Sequence, residues 1–510
     1  LLELLMLNCK SLVRFAGCFC FILFCLYWFM LNPRLIVLVT EAALCLVFLL
    51  IFANDSIRIS DNAKYLLLLL FFCLLMCFVF TPFSVPDEAH HFFSSYWLLD
   101  MLPGGHGVAS DGFYVRSSDY DLYRNTDPYI SGVNYNDLIK GLFSTTSNLK
   151  IEKFSEISYT FGSENIPAKI GSLVGLFLGL SLNLNSYLTF YLGRIGSIVV
   201  FVACSFFAFK TAPKGKCIIA FVSFLPMTLH LAASYSYDSG IIGYSLIVFS
   251  LLMKGFFSSD GHLDSRFIAL VFLFSALLAP CKVIYSGIIC LFLLIPLSKF
   301  KSKRDGKFFK IGLVFVMLTS VILFRTASIA NLTAQSGQSV RGLETGTFYT
   351  LSDIIFHPCH SFKMLMATFD SLGDFYWLTT LGYSLGWFQK SLIMPTFLML
   401  PYLFFGFMCL VGSASDDCYL APKVAVAFVV AFLVAFAGAF VSMWIGWTFN
   451  TEELIMGVQG RYFLPALPVL MFGLRTAKVR CEANVCNLVL YGTCLANCIY
   501  IVRLISIAAL

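Results

Sequence analysis

Residues Tyr65–His91 read YLLLLLFFCLLMCFVFTPFSVPDEAHH, and this stretch decides both the fold and where to look for chemistry. The run Tyr65–Phe80 carries no charge and ends at Thr81-Pro82. Such a run is read as a helix through a hydrocarbon core of ~30 Å. The carboxylates Asp87 and Glu88 then stand where the helix meets water. Charge inside a bilayer is costly, so ionisable groups at its edge point to function by default. A purely local role is equally open: Ser84 capping a short helix, with Asp87 and Glu88 facing the positive end of its dipole. Where the other polar residues fall separates the two readings.

The 510-residue chain is 59% hydrophobic and 12% charged, against about 25% charged in soluble domains. Apolar runs of about twenty residues recur along it. These features predict an all-α integral membrane protein, a single polytopic domain over 1–510, with about 11–14 transmembrane helices. Thirteen spans are expected, at 12–31, 35–53, 65–82, 187–209, 216–233, 239–255, 266–280, 283–298, 308–325, 392–412, 423–447, 461–475 and 486–508. The first apolar run continues into a second, unlike a cleavable signal peptide, and the chain opens on Leu1, which leaves its natural start open. Many of the 18 cysteines, Cys18, Cys73, Cys77 and Cys204 among them, lie inside apolar runs as small hydrophobes rather than as a disulfide framework. The net charge of +6 comes from short loops and has no interleaved aromatics of the kind a nucleic-acid surface would show.

Those loops set the orientation. Lys10 and Arg14, Arg58 and Lys64, Lys210 to Lys216, KFKSKRDGKFFK at Lys299–Lys310, and Arg475 to Arg480 can all face the cytoplasm together. One segment, Ile166–Leu182, is long enough to cross, but crossing would move the Lys210–Lys216 cluster outside. Its glycines Gly171, Gly175 and Gly179 and its Pro167 start suit a re-entrant or interfacial helix. Two large outer loops result, 84–186 with the acidic stretch and an LPGGHG turn at Leu102–Gly107, and 326–391 with Phe375, Tyr376, Trp377 and Trp387. Loops of this length favour a functional role. No internal repeat is visible.

With this topology several unusual polar residues gather at the outer side. Asp87 and Glu88 end the third span, Asp238 follows SYSY, and Lys282 lies in the turn of LLAPCKVIY. Arg325 ends the ninth span, Gln459, Arg461 and Tyr462 begin the twelfth, and Arg194 sits about two turns inside the fourth. Each alone has an ordinary explanation: Lys282 and Arg325 snorkelling, Arg461 pairing with Glu452 or Glu453. Their convergence on one leaflet describes a site. A carboxylate there acts as general base toward a hydroxyl, and cations at the same depth hold a phosphate. A lipid phosphate leaves a sugar as a stable anion, so one base and one clamp suffice. The expectation is a glycosyltransferase with a lipid-phosphate sugar donor.

The same residues carry a resemblance. PDEAHHFFSSY resembles the PDE-x-x-HF signature, and VQGRYFLPALP the Gln-Gly-Arg-Tyr-Phe-x-Pro signature, of a family of bacterial multi-spanning membrane proteins of unassigned function. LPMTLHLAASYSYD resembles its middle block, and the three occur in order from 86 to 468. That family is similar to the GT-C superfamily of polyprenyl-phosphate-dependent glycosyltransferases. The resemblance implies a GT-C-like fold in the bacterial plasma membrane with its active site on the outer face. It implies Asp87 as catalytic base, Glu88 supporting it, and Arg461 as donor-phosphate ligand. Lys282, Arg194 and Arg325 are further phosphate-binding candidates, with His91, Asp238, Gln459 and Tyr462 completing the site.

One departure is Ala89 where the family often has Pro, which leaves His90 extra beside His91. Asp87, Glu88, His90 and His91 read alternatively as a divalent-metal cluster, Asp87 and His91 being i and i+4. A hard cation asks for more carboxylates than this, and a hydrogen bond from His91 orienting a carboxylate is the favoured role. The expected partners are a polyprenyl-phosphate-sugar donor, a glycan or glycolipid acceptor, and the bilayer, with no nucleic acid. The competing readings are a polysaccharide polymerase or ligase with a lipid-diphosphate donor, a lipid or sugar transporter or flippase, and a structural scaffold. Flippases place polar groups near the midplane, often within inverted repeats, which this chain lacks.

Overall fold

The computed structural model describes the chain except residues 1, 33, 53–58, 103–112, 146–149, 155–164, 259–261, 334–338, 342–343, 388, 390–391, 414–415, 417 and 510. Arg58 and most of the Leu102–Gly107 turn lie outside the described residues, as do the side chains of Lys10 and Arg14. The chain begins with α1 (Leu2–Leu31), α2 (Leu35–Phe52) and α3 (Asp61–Val79). The first large loop holds α4 (Glu88–Asp100), β1 (Phe113–Arg116), α5 (Ser117–Asn125), α6 (Gly132–Leu142), β2 (Ile151–Phe154) and α7 (Ile166–Ser181). Then come α8 (Ser186–Thr211), α9 (Lys216–Ser223), α10 (Pro226–Ala232), α11 (Asp238–Phe257), α12 (Ser265–Leu278), α13 (Ser286–Cys290) and α14 (Lys303–Thr333). The second loop contains β3 (Ser339–Arg341), β4 (Glu344–Gly346), α15 (Leu351–Phe356) and α16 (Pro358–Leu381). The chain closes with α17 (Thr396–Leu410), β5 (Val411–Ser413), α18 (Pro422–Trp447), α19 (Leu467–Gly473), β6 (Thr476–Cys481) and α20 (Val485–Ala508).

The fold is an all-α membrane bundle. Among the described residues six helices, α3, α8, α11, α14, α18 and α20, are long and apolar enough to cross a membrane. They differ in depth within the bundle. The apolar window of α11 is 83% buried and that of α14 only 17%, so α11 is the central post and α14 turns most of its apolar surface outward. The sheets are marginal: β1 pairs antiparallel with β2 from Phe113↔Phe154 to Arg116↔Ile151, β3 pairs antiparallel with β4, and β5 pairs parallel with β6.

Three expected spans are not single helices. The stretch 216–233 breaks between α9 and α10, because Pro226 has no N–H to give and holds Leu225 extended (φ −61°, ψ 136°). The stretch 283–298 is a series of 3₁₀ turns around α13, and 461–475 is a 3₁₀ turn at Gly460–Phe463 followed by the short α19. Pro296, Pro465 and Pro468 interrupt these ladders in the same way. The second outer loop also differs from expectation, since much of it is the 24-residue α16.

The glycine-rich α7 packs antiparallel on the first half of α8. A Cβ on Gly171 or Gly175 would collide with the backbone carbonyls of Gly196 and Leu192, and one on Gly179 would lie 2.8 Å from Thr189 Cα. Small residues therefore let the two backbones approach, as between membrane helices generally. The opposite face of α7 exposes Ile170, Val174, Phe177 and Leu178. A separate aromatic core, including Phe83, Phe92, Phe93, Phe113, Phe190 and Tyr235, seats α4 and β1 against this helix pair. At the far end of the bundle, Asp416 accepts from the Gly215 N–H and from Arg475 Nη1, both at 3.0 Å, and lies 3.9 Å from Lys214. The basic clusters after α8 and α19 thus meet at one end, opposite the residues described next.

Candidate active site

The segment between α3 and α4 is shaped by one buried arginine. Arg194, in the third turn of α8, is fully buried and pairs with Glu88 through Nε (2.8 Å to Oε1) and Nη2 (2.6 Å to Oε2). Its remaining N–H groups reach the carbonyls of Cys77 (2.9 Å), Phe80 and Thr81 (3.0 Å). These carbonyls belong to the end of α3, where helix carbonyls have no partner of their own and the dipole is negative. Tyr235 N–H donates to Glu88 Oε1 at 3.2 Å. Every donor of Arg194 is therefore spent inside the protein, and Glu88 has no face toward solvent. Arg194, expected among the phosphate ligands, therefore has no donor left for a phosphate, and Glu88 lies buried behind Asp87, held by Arg194 and the Tyr235 N–H.

Held this way, the segment between α3 and α4 takes two residues other than glycine into the left-handed region, Phe83 and Asp87, both at φ 62°. Non-glycine residues there carry strain, least for Asp, and such strain gathers at functional sites. Ser84 Oγ donates to Thr81 O (2.7 Å), so it does not cap α4. Asp87 occupies the N-cap position but makes no capping bond. Its carboxylate turns instead to Arg461, with Oδ2 2.6 Å from Nη2.

From this contact a row of alternating charges runs inward. Arg461 Nε lies 3.5 Å from Asp238 Oδ2, and Asp238 Oδ1 accepts from Lys282 Nζ at 3.0 Å. Lys282 Nζ stands 4.1 Å above the Tyr462 ring and 5.2 Å from that of Tyr237, a cation–π environment. Asp87 is the accessible member, its side chain 46% exposed, against 7% for Arg461, 5% for Asp238 and 17% for Lys282. The side chains come from four places in the sequence. Asp87 precedes α4, Asp238 opens α11 at the positive end of its dipole, and Lys282 follows α12. Arg461 and Tyr462 occupy the 3₁₀ turn before α19. That turn needs Gly460, because α16 passes so close that a Cβ would strike Thr380 N and Tyr376 O. Thr380 Oγ1 donates to Gly460 O (3.0 Å), fixing the turn to α16.

The other expected residues divide. Gln459 lies beside Arg461 and lines a hollow next to Pro86. Arg325 is not in the site: it donates to the Pro280 and Cys281 carbonyls and so secures the turn that presents Lys282. His91 does not orient a carboxylate. Among the described residues its Nδ1 is buried without a hydrogen-bond partner, and its ring meets Tyr237 edge-on at 4.7 Å. The metal reading of Asp87, Glu88, His90 and His91 fails on geometry, since Glu88 is consumed by Arg194 and Asp87 is turned to Arg461. Among the described residues no three His, Cys, Asp or Glu side chains converge as metal ligands.

Sequence reasoning missed Lys169 and Tyr237. Lys169 comes from α7, is 4% exposed, and donates to Ser94 Oγ. Tyr237 lies between Lys169 (5.9 Å) and Lys282. The signal for Lys169 was present, a lone cation in the apolar helix IPAKIGSLVG.

The histidines confer a pH dependence on stability. Burial first, then the charge of Lys169, holds His90 down to about 4, with Asp87 pulling the other way. Burial and Lys169 also hold His91 well below the usual range. In the unfolded chain a histidine titrates near about 6.5. Between that value and about 4 the unfolded state binds more protons, so stability falls as pH falls through this window. The melting temperature in detergent is expected to drop between pH 7 and pH 5, and to drop less in His90→Gln.

These features define a polytopic all-α membrane protein with a buried charge row at one end. The chain belongs to the family described as predicted membrane protein (DUF2142), whose sequence profile matches residues 70–470, from α3 into α19. No curated protein and no solved structure matches it.

Proposed function

We propose that this protein is a GT-C-type membrane glycosyltransferase, moving a sugar from a polyprenyl-phosphate donor to an acceptor hydroxyl at the outer face of the bacterial plasma membrane. One observation carries the reading: a half-exposed carboxylate on strained backbone, Asp87, lies at the open end of the row Arg461–Asp238–Lys282. That arrangement supplies a base and a phosphate clamp side by side. The acceptor oxygen attacks the anomeric carbon from the face opposite the phosphate and passes its proton to Asp87. The carbon–oxygen bond to phosphate breaks, its electron pair staying on the phosphate oxygen, and the sugar is inverted. Arg461 and Lys282 meet the charge gained by the leaving polyprenyl phosphate. Arg461 serves both partners: Nη2 holds Asp87, while Nη1 has no hydrogen bond among the described residues. Asp238 holds the two cations in place between them. The product builds a surface polysaccharide, a cell-wall glycan or a glycolipid.

Reconstituted protein incubated with polyprenyl-monophosphate sugars and with polyprenyl-diphosphate glycans tests the proposal. Release of free polyprenyl phosphate from the former is the expected result. Consumption of the diphosphate alone would move the polymerase or ligase reading ahead, and movement of intact lipid-linked sugar without cleavage would establish a flippase.

A further inference from the structure

The bundle end that leads to Asp87 holds a second opening, a cavity of about 260 Å³ between α6 and the turn that joins α1 to α2. Arg34 and Leu35 line it from the turn, and Tyr135, Asn136 and Ile139 from α6. One water needs ~10–15 Å³ of such space, so a headgroup of several atoms has room. Both walls are fixed in place. Asn32 Nδ2 donates to Ser506 O at 2.9 Å and pins the turn to α20. Arg34 O accepts from the Leu38 N–H at 3.1 Å, which opens α2. Tyr135 Oη donates to Val79 O at 2.5 Å and seats α6 on the end of α3. Gly132 lets the guanidinium lie against α6, since a Cβ there would overlap Arg34 Nη1.

The lining carries one formal charge, and it is positive. The charged neighbours on α6, Asp137 and Lys140, are exposed and do not line the cavity. Its rim is apolar: Leu35, Val133, Ile139 and Phe143 are all exposed. From the turn this apolar surface continues along α1 and α2, which expose Leu26, Leu31, Leu38 and Leu46. A cation in a cavity beside a long apolar surface matches an amphiphile with an anionic head. A small free anion would meet the guanidinium but leave the apolar rim uncovered.

We propose that this cavity holds the phosphate headgroup of a membrane glycerophospholipid, with the acyl chains lying along the outward faces of α1 and α2. The Arg34 guanidinium offers its forked N–H donors to the phosphate oxygens. Asn136 offers an amide to the rest of the headgroup, and the first carbons of the chains meet Leu35 and Ile139. The site is separate from the charge row, none of whose residues lines it. A lipid held here joins α6 to the α1–α2 turn and so steadies the first large loop.

The full-length protein, delipidated in a neutral detergent, tests the proposal by native mass spectrometry and by melting. The probes are dioleoylphosphatidylglycerol, dioleoylglycerol, which lacks the phosphate, and inorganic phosphate. Phosphatidylglycerol is expected to remain as a one-lipid adduct and, binding only the folded chain, to raise the melting temperature. Arg34→Gln and the cavity-filling Asn136→Trp should each weaken that adduct about tenfold, while Arg461→Ala leaves it unchanged. Asn136 is exposed, so its variant is expected to fold whatever becomes of Arg34→Gln. Equal adducts on the parent and on both cavity variants would overturn the proposal, as would equal stabilisation by dioleoylglycerol or by inorganic phosphate. Loss of the adduct in Arg461→Ala alone would place the lipid in the charge row and overturn it too.

Discussion

Asp87→Asn is expected to reduce sugar transfer by about a thousandfold, within the range a positioned general base contributes, with folding unchanged. The prediction follows from where the side chain lies. Asp87 is 46% exposed and, among the described residues, its one side-chain bond is to Arg461. Asparagine keeps its size, tolerates the left-handed backbone at φ 62° and still accepts from Arg461, but it cannot take a proton at neutral pH. Turnover of polyprenyl-phosphate sugar by the purified variant, alongside its melting curve in the same detergent, separates chemistry from stability. Full activity with an unchanged melting curve would remove Asp87 from the mechanism.

Arg194→Ala should act in the opposite way, as a loss of fold. Both members of its pair with Glu88 are fully buried. Removing one partner strands the other charge, which typically costs about 3–5 kcal/mol. The Cys77, Phe80 and Thr81 carbonyls lose their donors as well. The variant is expected to be recovered in low yield, aggregated, with the turn that carries Asp87 undone. The double variant Arg194→Met with Glu88→Met should recover only part of the loss, because the stranded charge is gone but the three carbonyls remain unpaired. A single alanine variant that melts like the parent would show that the turn is held by something else.

The fold class was legible because twenty-residue apolar runs have few other meanings, and two of the basic clusters, at Lys214 and Arg475, do come together at Asp416. What the runs concealed was their breaks: Pro226, Pro296, Pro465 and Pro468 sit inside stretches whose hydropathy is continuous. In the site, Asp87, Asp238, Lys282 and Arg461 could be grouped from depth alone, since four charges at one level of a bilayer seek each other. Depth could not tell which arginine keeps donors free. Arg194 and Arg461 read alike in the sequence, and only the carbonyls at the end of α3 show that the first is spent internally.

In the proposed reaction Arg461, beside Asp87, clamps the phosphate of a polyprenyl-linked sugar. Mass spectrometry of the lipids that co-purify with the parent protein and with Arg461→Ala tests it most directly. A polyprenyl phosphate or its sugar adduct is expected on the parent and absent from the variant. Bulk phospholipid alone on both, with externally added polyprenyl-phosphate sugar binding the two proteins equally, would contradict it.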